Sequence, residues 1–268
     1  MALNCSIAKA EAIHLEHQSL ALQNLYPDQG YSTKHVAGSI TTLARPEFGW
    51  KLNHTSGFAV FGKVTSDDLR AIEAAFERNG IPPRIDMCDF ADSSAFDLLT
   101  DYTVSGSLCE YQQSVADFEY PATLGDTIKI SILGPEDHDT FVKASNEGFR
   151  SGGRPPELLR VLAESAAARP DTTLFSASID GELVGTAGMA MVNTGNNKIV
   201  VLYIDSCLPS ARGKGVHKAL LLERLRVARD REYDLACATA REGSISAKNM
   251  EKVGFAKAYS CNIYTKDS

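Results

Sequence analysis

The part of the chain best equipped for chemistry reads Cys207-Leu208-Pro209-Ser210-Ala211-Arg212-Gly213-Lys214-Gly215-Val216-His217. It falls between a long apolar run and a helix-patterned segment. Glycines let a backbone turn tightly and bring successive N–H groups close to a ligand. The start of a helix adds unpaired donors and the positive end of its dipole. Arg212 and Lys214 add charge beside them. Together these suit a pyrophosphate; the plainer alternative is a bend that only reverses the chain. The pattern is not G-x-x-x-x-G-K-[ST], so a Walker loop is excluded. It does not follow the first strand of a βαβ unit as G-x-G-x-x-G, so a dinucleotide site is disfavoured.

The elements that must hold this bend follow from periodicity. Thr127–Ile132 alternates as a strand, and Pro135-Glu136-Asp137 opens a helix carrying Phe141, Val142 and Phe149. A second helix is predicted over Pro156–Ala168. Thr173–Ile179, the turn Asp180-Gly181 and Leu183–Val192 read as a hairpin. Ile199–Leu208 is the longest apolar strand. A helix from about Gly215 to Arg229, a strand Tyr233–Ala240, a helix ending at Gly254 and a strand Ala258–Thr265 complete a β-α-α-β-β-β-α-β-α-β order, a mixed α/β domain. Arg224, Arg226, Arg229 and Arg231 are expected on a solvated helix face.

With its strand order, the bend resembles the acyl-CoA loop of the GNAT N-acetyltransferase superfamily, whose pattern is R/Q-x-x-G-x-G/A. Arg212, Gly213, Lys214 and Gly215 match it; His217 stands where Gly or Ala is usual. Gly243 to Phe255, ending Lys252-Val253-Gly254-Phe255, resembles the family's helix after the fifth strand. The resemblance covers about residues 126–268. Residues 1–123 resemble, more weakly, the degenerate N-terminal GNAT-like half of two-part members. The implied architecture is a GNAT-like α/β domain with a mixed sheet (124–268), preceded by a second, smaller GNAT-like α/β region (1–123).

The resemblance implies acetyl-CoA as co-substrate and the amine of a small molecule as acceptor. It implies a V-shaped gap between the strand ending at Cys207 and the strand through Cys237. There the pantetheine arm would pair with backbone near Cys207 and Leu208. The pyrophosphate would lie on Arg212, Gly213, Lys214, Gly215, Val216 and His217, with Ser244, Ser246 and Asn249 toward the CoA arm. A backbone N–H near the strand end would polarise the thioester carbonyl.

Acyl transfer to an amine needs a neutral amine, so a proton must leave. The family commonly uses a carboxylate on the central strand; Asp205 occupies that strand, and strand alternation puts Tyr203, Asp205 and Cys207 on one face. Asp205 is the expected base, with a hydrogen-bonded strand-end carboxylate as the other reading. The family's acid is a tyrosine four residues before the Gly of the Gly-Phe pair. That position holds Met250, which cannot donate a proton, so Tyr259 is the candidate substitute. A covalent route through Cys207 would need a histidine base, and only His217 is indicated; direct attack is expected. Two alternatives remain: other acyl-CoA chemistry on the same fold, and a CoA-binding module without catalysis.

Composition narrows the rest. The 268 residues carry a net charge of −7, with 44% hydrophobic and 23% charged residues, which excludes a disordered chain. The acidic balance disfavours a nucleic-acid partner. No apolar run reaches the ~18 residues of a membrane span. The six cysteines include no C-x-x-C pair, so no zinc clip or redox motif is signalled, and a cytoplasmic setting is expected. His14 and His17 share a helix face without a third ligand and are expected to be solvated; no metal is expected. A homodimer is left open.

In the first half, residues 1–30 read as helical, a Gly/Pro/Asn/Thr-rich stretch runs from Gly38 to Gly57, and a strand at Phe58–Phe61 and a helix capped near Thr65 are predicted. A strand at Arg84–Cys88, a short helix at Phe96–Leu99 and a strand at Ser107–Val115 follow.

Overall fold

The computed structural model describes residues 2–121 and 127–266. The expected boundary at 123/124 lies outside the described residues. Contacts divide the chain into two units, Met1–Glu110 with Lys257–Ser268, and Tyr111–Ala256. The C-terminal strand, expected with the second half, thus joins the first unit.

The described elements of the first unit begin with α1 (Ala2–Leu25), β1 (Ser32–Val36), β2 (Ser39–Leu43) and β3 (His54–Ser56). Then come α2 (Ser66–Glu77), β4 (Arg84–Cys88), α3 (Ser94–Leu98) and the greater part of β5 (Thr103–Ser114). Helix α2 starts where the sequence predicts. Thr65 accepts from the Asp68 N–H, and the Asp68 side chain accepts in return from the Thr65 N–H, satisfying two donors that the helix cannot. Leu69, Ile72 and Phe76 of α2 then pack on Leu43, Phe58, Ile85 and Met87.

Two expectations fail in this unit. Phe58–Phe61 is not a strand: Val60 N–H closes a turn onto the Gly57 carbonyl, and Ala59 is left-handed at φ 58°. The apolar run is a buried turn, with Phe58 wholly inside. The Gly/Pro/Asn/Thr-rich stretch from Gly38 to Gly57 holds β2 and β3, antiparallel with Ile40 opposite Ser56. Its threonines are interior, and the Thr41 and Thr55 hydroxyls bond at 2.8 Å. His14, expected in solvent, is buried.

The second unit contains β6 (Ile128–Leu133), α4 (His138–Phe149), α5 (Pro156–Ala168), β7 (Thr172–Ile179) and β8 (Glu182–Asn193). It continues with β9 (Lys198–Cys207), α6 (Val216–Asp230), β10 (Leu235–Ala240) and α7 (Ile245–Lys252); β11 (Ala256–Thr265) returns to the first unit. Its strands run in the order β10-β9-β8-β7-β6. Strands β6 to β9 are antiparallel neighbours, and β9 and β10 are parallel. Phe141, Ala163, Ala166 and Leu174 form a core joining α4, α5 and β7. The periodicity-based assignment of this half agrees with these elements, as expected where apolar spacing is regular. Among the described residues no helix is long and apolar enough to cross a membrane, and no group of three or more His, Cys, Asp or Glu could hold a metal ion.

Candidate active site

Strands β9 and β10 pair only from Ile199/Leu235 to Val201/Cys237. Beyond that point β9 continues to Cys207 and β10 to Ala240, so backbone groups on the facing edges of both strands are left outside the ladder. Leu208 donates its N–H to the Val184 carbonyl of β8 at 2.8 Å, so this expected donor is committed inside the sheet. Alternation turns the backbone of Cys207 the other way, toward the open edge.

Strand β9 also carries a bulge. Its pairing with β8 shifts between Thr186/Ser206 and Gly188/Tyr203, and Ile204 is left-handed at φ 54°. A bulge adds a residue and breaks the alternation of faces. Tyr203 and Ile204 therefore pack toward the α4–α5 core, where the Tyr203 hydroxyl meets Thr172 Oγ1 at 2.9 Å. Asp205 turns to α6 instead. The expected single face for Tyr203, Asp205 and Cys207 is thus incorrect for Tyr203, because an alternation rule cannot anticipate a bulge.

After β9, a 3-10 turn over Pro209–Ala211 leads to the bend. The N–H groups of Ala211, Arg212 and Lys214 close turns onto Leu208, Pro209 and Ala211. Gly213 and Gly215 are left-handed, at φ 79° and 89°. Gly215 is the residue before α6; no side chain caps this helix, and its carbonyl takes the first helical bond, from Ala219 N–H. The first-turn N–H groups of Val216, His217 and Lys218 have no partner within the helix. The N-terminal end of α6 sits close to the sheet because β8 has glycine opposite it. A Cβ on Gly185 would lie 2.7 Å from Val216 Cγ1 and 2.9 Å from the Ser206 carbonyl oxygen.

Arg212 reaches back to α4. Its Nη2 donates to the Gly148 carbonyl at 3.0 Å and to Ser151 Oγ at 2.8 Å, so the arginine ties the bend to the end of α4. Lys214 is exposed. On the far side, Ser244 caps α7, its Oγ accepting from Ala247 N–H at 3.1 Å. Met250 is 1% exposed, a core side chain at the place where the family would present a tyrosine. Tyr259 belongs to the first unit, buried with its ring edge-on to Phe90 at 4.9 Å.

Asp205 anchors a polar chain that the sequence did not disclose. Arg224, expected in solvent, is 0% exposed. Its Nη1 donates to Asp205 Oδ2 at 3.1 Å and to the Gly188 carbonyl at 2.9 Å, and its Nη2 donates to Asp205 Oδ1. Its Nε bonds the Leu220 carbonyl at 3.0 Å. His217 Nε2 lies 3.5 Å from Asp205 Oδ1, while its Nδ1 lies 3.1 Å from Asn249 Nδ2 of α7. Burial by itself would raise the Asp205 carboxyl, but Arg224 and His217 outweigh it and hold the group below the usual carboxylate range. A signal existed: Arg224 lies four residues after Leu220 and three before Val227, on the apolar stripe of α6. Cys207 is held protonated, because burial raises its thiol against the opposing charge of Arg212.

Comparisons with known proteins bear on the fold that carries this site. Residues 139–255 match the family model described as "Acetyltransferase (GNAT) family". A GCN5-related N-acetyltransferase from Kribbella flavida superposes with a TM-score of 0.66 at 14% identity, covering 98% of this chain and 95% of that one. A functionally unknown conserved protein from Staphylococcus epidermidis ATCC 12228 gives 0.61 at 13% identity, covering 92% and 97%. A tandem GNAT protein from the clavulanic acid biosynthesis pathway gives 0.55 at 15% identity, covering 73% and 67%. No curated protein matches the chain in sequence. The chain has the GNAT fold, and its residues 139–255 match the GNAT acetyltransferase family model.

Proposed function

We propose that the protein transfers an acyl group, acetyl in the first instance, from coenzyme A to the primary amine of a small molecule by direct attack. The observation that carries this reading is the parting of β9 from β10 after Val201/Cys237, with a glycine bend and an uncapped helix at its end. An acyl-CoA donor fits these residues. The Cys207 backbone would pair with the pantetheine arm. The bend from Arg212 to His217 would take the pyrophosphate on Gly213, Gly215 and first-turn N–H groups, with Lys214 supplying charge. Ser244 and Asn249 would line the other wall. The donor supplies an activated thioester carbonyl; the chain orients it and stabilises charge on its oxygen through backbone N–H groups beside the bulge.

The roles of the polar side chains follow from their partners. Asp205 has both oxygens engaged by Arg224 and is held as an anion, so it is a weak proton acceptor and acts in our reading as an orienting group. Tyr259 is read as a core residue of the first unit, and Cys207, protonated, as a backbone contributor without a covalent role. The N-terminal region is proposed not to bind CoA. The acidic net charge suits a cationic acceptor.

The test is mass spectrometry of the purified protein with acetyl-CoA and a mixed amine library, paired with calorimetry of CoA binding. An acetylated amine appearing with free CoA supports the reading. Free CoA without an acetylated amine turns it toward other acyl chemistry, and the absence of CoA binding refutes it.

A further inference from the structure

Met250, at the position where the family pattern has the acid, lies in the core, and Asp205 is held by Arg224. His217 is the next group of that polar chain. It is the second residue of α6, and its ring spans from the bulged strand β9 to α7, between Asp205 and Asn249. Asn249 directly precedes Met250, so the imidazole reaches the same turn of α7 on which the tyrosine is missing. Its side chain is 20% exposed, so it is neither sealed in the core nor free in solvent.

The two partners suit a ring that changes charge. Asp205 accepts from Nε2–H whether the imidazole is neutral or protonated. Asn249 can offer its N–H to a neutral Nδ1 and, with its carboxamide turned over, its oxygen to a protonated one. The ring can therefore gain and lose a proton at Nδ1 while keeping a partner at each nitrogen. Imidazole is also the side chain whose charge normally changes between about pH 5 and 8. The charged groups facing it are Asp205 from β9 and, behind that carboxylate, Arg224 of α6; α7 contributes the uncharged Asn249.

We propose that His217 is the proton donor to the leaving thiolate, with Asp205 and Asn249 as its positioning residues. This rests on the acyltransferase reading above. The acceptor nitrogen forms its bond to the acyl carbon, and the carbon–sulfur bond breaks with its electron pair going to sulfur. His217 gives its Nδ1 proton to that sulfur, and the neutral ring is recharged by the proton that the attacking nitrogen loses.

The experiment has a spectroscopic part and a kinetic part. In the unliganded protein labelled with nitrogen-15 histidine, the neutral His217 ring is expected as the Nε2–H tautomer, taking up its second proton at Nδ1 as pH falls. The Asp205→Asn variant should lose that tautomer bias. In turnover, His217→Gln is expected to lower kcat about 100-fold, within the range of general acid catalysis, with CoA affinity changed far less, because the backbone N–H assigned to the pyrophosphate is kept. An acyl donor with a nitrothiophenol leaving group, which departs without a proton, should recover most of the loss. A merely structural histidine would not give that rescue.

A ring that keeps one charge state between about pH 5 and 9, or a His217→Gln enzyme with wild-type kcat and pH profile, overturns the proposal and leaves the transferase reading standing. Failure of the wild type to bind CoA overturns the reading beneath it instead. Should the glutamine variant not fold, the wild-type tautomer and the dependence of wild-type kcat on leaving-group acidity decide the matter, with strong dependence overturning the donor role.

Discussion

Replacing Arg224 by methionine isolates the interaction on which the site depends. Methionine keeps the length and apolar stem but removes the bonds to Asp205 and to the Gly188 carbonyl. Arg224 is 0% exposed, so nothing else can neutralise the carboxylate from that side. Breaking one partner from a buried ion pair costs about 3–5 kcal/mol. The Asp205 side chain is 20% exposed, and water can reach it, which places the cost near the lower end, about 3 kcal/mol. For a chain of this size each kcal/mol moves Tm by about 2–4 °C, so Tm should fall by about 6–12 °C.

The pH dependence separates this cause from lost packing. In the wild type the Asp205 carboxyl is held below its ordinary range, since Arg224 and His217 outweigh burial. Its contribution to stability is therefore present above the ordinary carboxylate pKa of about 3.9 and is lost as pH falls through the depressed folded value. In the variant, burial faces only His217, and the carboxyl moves above its ordinary range. The variant is then penalised most at neutral pH and recovers relative to wild type as acid protonates Asp205. Urea unfolding followed by circular dichroism at pH 7 and pH 5 reads this as a shrinking gap in midpoint. A gap below about 1 kcal/mol at neutral pH, or one that does not change with pH, would refute the reasoning. The Asp205→Asn, Arg224→Met double variant should regain part of the loss, since it buries no unpaired charge.

Gly185→Ala drives a Cβ against Val216 and the Ser206 carbonyl; it should cost about 1–3 kcal/mol by overpacking and weaken CoA binding as the start of α6 shifts. Thermal melts and calorimetry check it, and Val216→Ala in the same chain should relieve part of the strain. Arg212→Glu should weaken CoA binding and abolish transfer; unchanged affinity in calorimetry would remove the phosphates from this bend. Cys207→Ser should keep wild-type turnover because the thiol is held protonated by burial, and a dead serine variant that still binds CoA would restore a nucleophilic role.

Much of the second unit was legible in the sequence because its apolar spacing is regular. The hairpin at Asp180-Gly181, the long strand ending at Cys207 and the glycines of the bend each follow from local rules: alternation, a turn that favours positive φ, and a helix start. The first unit was less legible. β2 is rich in threonine and buried along its whole length, so no polar face marked it as a strand. Phe58–Val60 is apolar but bent by a left-handed Ala59.

The site divides in the same way. The chain order alone fixed where backbone donors gather, since two glycines before a helix act within a few residues. Which face Asp205 presents depended on a bulge at Ile204 formed against β8. The burial of Arg224 depended on a carboxylate nineteen positions away in sequence meeting it across the packing of α6 on β9. The link from His217 to Asn249 required two helices to converge. Such pairings arise between segments distant along the chain, and only folding brings their charges within reach of one another.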